Sequence, residues 1–209
     1  MNTECGVLAF INLESSEKTL FSNDFVRSLE TLQHRGQDSC GISYVERVTK
    51  KIITTKTIGL VSELYPLLDH SESSIFIGHT RYSTLKHKEK ETDLLRAHPI
   101  VSTFNGIEYA FVFNGNIPLT NDSQPDTIYI TETMKEFQNK GLSFYESVKR
   151  FIQDVPRAYN IIFLFQEMLY IIRDPYGTRP LIIGKNGSEY MIASESVAIP
   201  KDYQLNDIR

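Results

Sequence analysis

Cys5, in the run Glu4-Cys5-Gly6-Val7, is the residue with the most chemistry open to it. A thiol becomes a nucleophile only when a base takes its proton, and no Cys/His pair is obvious here. If the chain were cut before Cys5, the residue's own α-amino group, with an ordinary pKa of about 7.7 to 8.0, could serve as that base. One residue would then carry both thiolate and base. Four residues precede it, and Asn2 is too large for routine removal of Met1 to expose anything useful, so this chemistry requires loss of Met1 to Glu4 as a propeptide. The plain alternative is a small buried strand residue. Cys40, the second cysteine, forms neither a metal-type spacing nor a disulfide framework with Cys5, and reads as core.

Other polar groups have everyday explanations. Asn114-Gly115 is a common turn pair, Arg81 an ordinary surface cation, and Asp126 a favourable charge at a helix start. His34, His79 and His98 invite a triad but read more simply as structural. In Arg173-Asp174-Pro175-Tyr176-Gly177-Thr178-Arg179-Pro180-Leu181, Asp174 and Arg179 suit a hairpin held by a buried ion pair and a rigid proline better than a phosphate site.

Elements that would position these groups can be read locally. Cys5 to Ile11 is small and apolar, the pattern of a buried strand. From Ser22, a candidate N-cap, Phe25, Val26, Leu29 and Leu32 share one helical face, with Gly36 beyond as a stop. Strands are expected at 42–45, 52–57 and 75–78. Val101–Phe104 and Ile107–Phe113 flank Asn105-Gly106, which accepts the positive φ angles of a type I′ turn and predicts a hairpin. A helix over Thr127–Lys140 follows Pro125 and stops at Gly141. A second starts at the capping-box pair Ser143/Glu146, with Phe144, Val148, Phe151 and Ile152 as its apolar face. Strands are predicted at 158–165, 169–173, 181–183 and 190–193, and none after Ser196. Grouped strands and grouped helices without βαβ alternation indicate an α+β fold with largely antiparallel sheets.

The 209 residues, 41% hydrophobic and 23% charged, suffice for one domain or at most two small ones. A net charge of -4, from 22 basic and 26 acidic residues, lacks the positive field of a nucleic-acid binder. No apolar stretch is long enough to span a bilayer and the first residues do not resemble a signal peptide, so a cytoplasmic protein without membrane contact is expected.

Five segments, Glu4-Cys5-Gly6-Val7, His34-Arg35-Gly36-Gln37-Asp38-Ser39, Gly78-His79-Thr80-Arg81-Tyr82-Ser83-Thr84, Asn114-Gly115-Asn116 and the 173–181 stretch with Ala193-Ser194-Glu195-Ser196 behind it, together resemble the class II glutamine amidotransferases. Among these the likeness is greatest to the glutaminase domains of amidophosphoribosyltransferases, and it covers nearly the whole chain. It implies a four-layer αββα N-terminal nucleophile hydrolase sandwich. It implies further that residues 5–209 form the amidotransferase domain; in departure from the parent enzymes, no phosphoribosyltransferase domain is expected in these 209 residues. By the same resemblance Cys5 is the nucleophile, and the Asn114 amide and Gly115 N–H form the oxyanion hole. Arg81 grips the carboxylate of L-glutamine, Asp126 takes its ammonium, Thr84 adds a hydrogen bond, and Arg35 stands behind the nucleophile. No metal and no cofactor are implied.

The sequence departs from the family after Thr84, where a small Thr/Gly/Ser-rich lid is replaced by Leu85 and the charged run Lys86–Glu91. Glucosamine-phosphate synthases prefer tryptophan at the position of Tyr82, and asparagine synthetases have proline in place of Gln37, so both are less similar. Three functions compete. One is a glutaminase passing ammonia to a separate or missing synthase. Another is an inactive glutamine-binding or regulatory module with an unprocessed N-terminus. The last is an amidase of the same fold with a different substrate.

Overall fold

In strand β1 (Gly6–Asn12) Val7 and Ala9 face one way, Leu8 and Phe10 the other, and all four are buried. A strand covered on both faces has no reason to alternate apolar with polar, which is why Val7 to Ile11 is apolar throughout. The computed structural model describes residues 4–14, 19–82, 94–117 and 125–207. Thr84, the charged segment 86–91 and residues 1–3 of the expected propeptide lie outside the described residues.

After β1 come β2 (Leu20–Phe21), helix α1 (Ser22–Glu30), β3 (Ser39–Val45), β4 (Ile52–Ile58), β5 (Glu72–Ser73) and β6 (Ile75–Arg81). The hairpin β7 (Ile100–Phe104) and β8 (Ile107–Gly115) follows, then helices α2 (Asp126–Asn139) and α3 (Phe144–Asp154). The chain ends in β9 (Tyr159–Phe165), β10 (Met168–Arg173), β11 (Ile182–Asn186), β12 (Glu189–Ala193) and β13 (Gln204–Asp207). One sheet has the order β13-β11-β12-β1-β6-β3-β4, the other β10-β9-β8-β7, and β2 pairs with β5 apart from them. Every recorded pairing is antiparallel.

The two large sheets stack through Val7, Ala9, Ile77, Ala110, Val112 and Ile162. On the outer face of the first, Phe25, Val26 and Leu29 of α1, with Leu32, cover Leu8, Phe10 and Phe76. On the outer face of the second, Ile130 and Met134 of α2 and Phe144, Val148 and Phe151 of α3 cover Phe111, Phe113 and Phe163. Helix, sheet, sheet, helix is the expected αββα sandwich. Apolar residues three and four apart on each helix supply the stripe that each sheet face needs.

Several local expectations hold. Asn105 and Gly106 take φ of 51° and 77°, as a type I′ turn requires. The Ser143/Glu146 capping box is complete, with Glu146 Oε2 accepting from Ser143 N–H at 2.8 Å and Ser143 Oγ from Glu146 N–H at 3.3 Å. Three expectations fail. Ile152, expected on the apolar face of α3, is exposed. Ser22 is the first residue of α1 rather than its cap and makes no capping bond. A strand does follow Ser196: β13, whose Gln-Leu-Asn-Asp sequence shows no apolar alternation, is held by its ladder to β11. No helix among the described residues is long and apolar enough to cross a membrane.

Candidate active site

Cys5 immediately precedes β1, between the ends of two neighbouring strands. On one side Gly6 pairs with Thr80 of β6, so Arg81 and Tyr82 run past the thiol. On the other, Ser194, the residue after β12, exchanges two bonds with Val7: its N–H donates to the Val7 carbonyl and its Oγ accepts from the Val7 N–H, both at 2.9 Å. The Ala-Ser-Glu-Ser segment therefore fastens the start of the strand that carries the cysteine.

The Cys5 thiol is partly exposed and donates to the Tyr82 carbonyl over 3.7 Å. Burial pushes its pKa up. Backbone hydrogen bonding and the positive charges of Arg81 and Arg35 oppose that shift without cancelling it. With Glu4 attached, the Cys5 nitrogen is an amide and provides no base. Cys40 is fully buried in β3 and its thiol is pushed up to about 12, first by burial and then by the charge of Glu63.

Arg35 lies behind the cysteine. Its Nε donates to the Cys5 carbonyl at 3.1 Å, and its Nη1 to Glu195 at 2.6 Å. His34 holds the same Glu195 carboxylate at 3.0 Å. Gly36 follows because β6 presses on the backbone there: an added Cβ would overlap the Arg81 carbonyl carbon. The His-Arg-Gly segment thus sets the position of Arg81 as well as that of Cys5.

Among the described residues Arg81 Nη1 is buried and has no hydrogen-bond partner. The same holds for Asn114 Nδ2, near the end of β8. Two buried donors without acceptors are costly in a folded protein and mark a place where an acceptor belongs. Gly115 follows Asn114 and leaves no room for a side chain, since an added Cβ would fall 2.5 Å from Tyr159 Cβ. Two residues on, the Ile117 N–H donates to Asp126 Oδ2 at 3.2 Å, which ties the first residue of α2 to the end of β8. Burial raises the Asp126 carboxyl above its ordinary pKa, and the Ile117 bond opposes this.

Beneath these groups His79 and His98 stack with ring centroids 4.3 Å apart, both fully enclosed. His79 Nε2 donates to the Phe113 carbonyl at 2.9 Å. Its Nδ1 and both ring nitrogens of His98 have no partner among the described residues. The histidines are structural in position, as expected, but not satisfied.

One expectation is overturned. Asp174 forms no ion pair with the Arg179 guanidinium and meets that residue through its backbone N–H, at 3.4 Å. Its carboxylate accepts from the N–H groups of Tyr176 and Thr178 at 3.0 Å each and from Thr178 Oγ1 at 3.1 Å, closing the turn from within. Arg173 braces that turn through the carbonyls of Arg179, at 3.2 Å, and Gly177, at 3.1 Å. Arg179 is thereby free to reach across the fold to Glu4. Glu4, Arg179 and Glu195 around Cys5 carry no sign of that arrangement in their spacing. The only local hint is that each stands in one of the five quoted segments.

No protein-family model matches the chain. The amidophosphoribosyltransferase of Methanothermobacter thermautotrophicus is 30% identical over 93% of this chain and 43% of its own length. That of Methanocaldococcus jannaschii is 29% identical over 93% of the chain and 43% of its own length. The glutamine phosphoribosylpyrophosphate amidotransferase of B. subtilis superposes with a TM-score of 0.73 at 25% identity, over 93% of this chain and 42% of that one. The chain therefore spans less than half the length of each of these three proteins. Similar to them in sequence along 93% of its own residues and alike in fold, it belongs to the class II, N-terminal nucleophile glutamine amidotransferases.

Proposed function

We propose that this chain hydrolyses L-glutamine to glutamate and ammonia through a thioester on Cys5. Loss of residues 1–4 frees the Cys5 α-amine, which takes the thiol proton. The thiolate attacks the side-chain carboxamide carbon, and the oxyanion that forms is received by Asn114 Nδ2 and the Gly115 N–H. Collapse of that intermediate passes a proton from the α-amine to the departing ammonia. Water then opens the thioester through the same oxyanion site, restoring the thiol.

Arg81 is assigned to the glutamine α-carboxylate, Asp126 to its ammonium, and Thr84 to an added hydrogen bond, while Arg35 positions Cys5. The ammonia goes to a synthase unit, for which the relatives' names make phosphoribosyl pyrophosphate the first acceptor to try. The observation that carries this reading is the pair of buried, unpartnered donors on Arg81 and Asn114, one suited to a carboxylate and one to an oxyanion.

The alternative, an inert glutamine-binding module, fits the state in which Glu4 remains attached, where the thiol has no base. The two are separated by assaying ammonia release from a chain that begins at Cys5, beside the unprocessed chain and a Cys5→Ala variant. Hydrolysis by the first alone is the expected result. Glutamine binding without turnover in all three would establish the inert module.

A further inference from the structure

The carboxylate of Glu4, the residue before the nucleophile, is held from two sides. Arg35 Nη2 donates to Glu4 Oε2 at 3.2 Å, and Arg179 Nη1 pairs with Glu4 Oε1. These arginines are 144 residues apart in sequence and meet at no other side chain in the recorded bonds. Arg35 also donates from Nε to the Cys5 carbonyl at 3.1 Å, so one planar guanidinium grips the chain on both sides of the Glu4–Cys5 peptide bond. Glu195, bonded to Arg35 Nη1 at 2.6 Å, fixes that guanidinium in turn.

We infer that the Arg35–Glu4–Arg179 clamp positions the Glu4–Cys5 peptide bond for its own removal, with Glu4 and Arg179 as positioning residues for maturation rather than for glutamine hydrolysis. The inference rests on the reading above, in which the working form begins at Cys5. In the step itself solvent water, in place of the neighbouring base this thiol lacks, takes the thiol proton as Cys5 Sγ adds to the Glu4 carbonyl carbon, and the C–N bond to Cys5 then breaks. The thiol proton ends on the nitrogen, which becomes the α-amine. Water then hydrolyses the resulting thioester, giving a Glu4 carboxylate on the released tetrapeptide and a free thiol on Cys5. No oxidant, reductant or metal is consumed. Attack requires the Glu4 carbonyl carbon to come within reach of the sulfur, and a side chain tied at both carboxylate oxygens to two separate parts of the fold restricts the rotations that would carry it away.

The test follows the freshly synthesised full chain by intact mass as the first four residues are lost. Glu4→Gln and Arg179→Gln should each slow this conversion at least about tenfold, the scale of a charge-assisted hydrogen bond. The double variant should be no slower than the slower single one, because the two residues act through one contact. Glu4→Gln cannot disturb the mature protein, since maturation discards the altered residue. Arg179→Gln is also placed in a chain whose Met1 directly precedes Cys5 and is trimmed by an aminopeptidase, and there its glutamine turnover should stay within about twofold of the unaltered sequence. Conversion of Glu4→Gln at the unaltered rate would overturn the clamp, as would independent, multiplying effects in the double variant or a loss of turnover by Arg179→Gln matching its loss of maturation. Mass reports maturation without glutamine, so a chain that matures in clamp-dependent fashion yet hydrolyses no glutamine supports the clamp and refutes only the proposed function.

Discussion

His79 Nε2 lies 2.9 Å from the Phe113 carbonyl oxygen and joins the two sheets at the level of the site. Two residues along β6 from His79 is Arg81, and one residue along β8 from Phe113 is Asn114. The bond therefore sets the spacing between the two unpartnered donors. A carbonyl can only accept, so Nε2 carries the proton, and the imidazole is neutral because burial holds its pKa down at about 3.

Replacing His79 by Phe keeps a ring of similar shape and removes the donor. Stability should fall by about 1–3 kcal/mol, the cost of leaving a buried carbonyl without its partner. A chemical denaturation midpoint measures this. A variant as stable as the wild type would show that the two sheets hold their spacing without the bond.

Acid should destabilise the fold from pH 6.5 downward. His79 binds no proton when folded until about pH 3, whereas the unfolded chain takes one up near 6.5. The unfolded state thus holds more protons throughout that window, and each pH unit below 6.5 removes about 1.4 kcal/mol on account of His79 alone. His98 is pushed well below its ordinary value, first by burial and then by His79, Arg81 and Lys56, and adds to the same loss. Between pH 6.5 and 5 carboxylates contribute little, so stability against pH in that range should flatten by about one proton in His98→Phe. An unchanged slope would mean that His98 is protonated in the folded state.

In a chain that begins at Cys5, Asn114→Ala should lower kcat for glutamine by roughly 100- to 1000-fold, with a smaller change in KM. The missing donor serves an oxygen that becomes negative only in the transition state. Steady-state kinetics with free glutamine is the measurement, and an unaltered kcat would remove Asn114 from the chemistry.

Arg81→Lys keeps the charge but loses the two-donor fork, and Asp126→Asn cannot neutralise an ammonium. Each should raise KM for glutamine by about tenfold or more while leaving kcat less affected. A glutamine blocked at its α-amine should be rejected by the unaltered sequence. If that analogue, or glutamine within a peptide, is hydrolysed as well as the free amino acid, the substrate is a different amide and the two charges are not its selectors.

The sequence alone determined what depends on near neighbours. The Asn105-Gly106 hairpin, the Ser143/Glu146 cap and the apolar stripes of α1 and α3 are local matters of φ angles, reach and helical spacing, and each is found where the pattern places it, save for Ile152 of α3, which is exposed. The buried strand after Cys5 was equally plain, since Val7 to Ile11 is an unbroken apolar run. What tertiary structure decided lies between residues far apart. Arg179 had an acid five positions away in Asp174, yet the turn's own N–H groups satisfy that carboxylate, and the guanidinium crosses 175 residues to Glu4 instead. The strand β13, polar in sequence, exists because β11 offers an open edge. That Arg81 and Asn114 keep a donor in reserve could not be read from their types, because an unpartnered group is defined by everything that surrounds it.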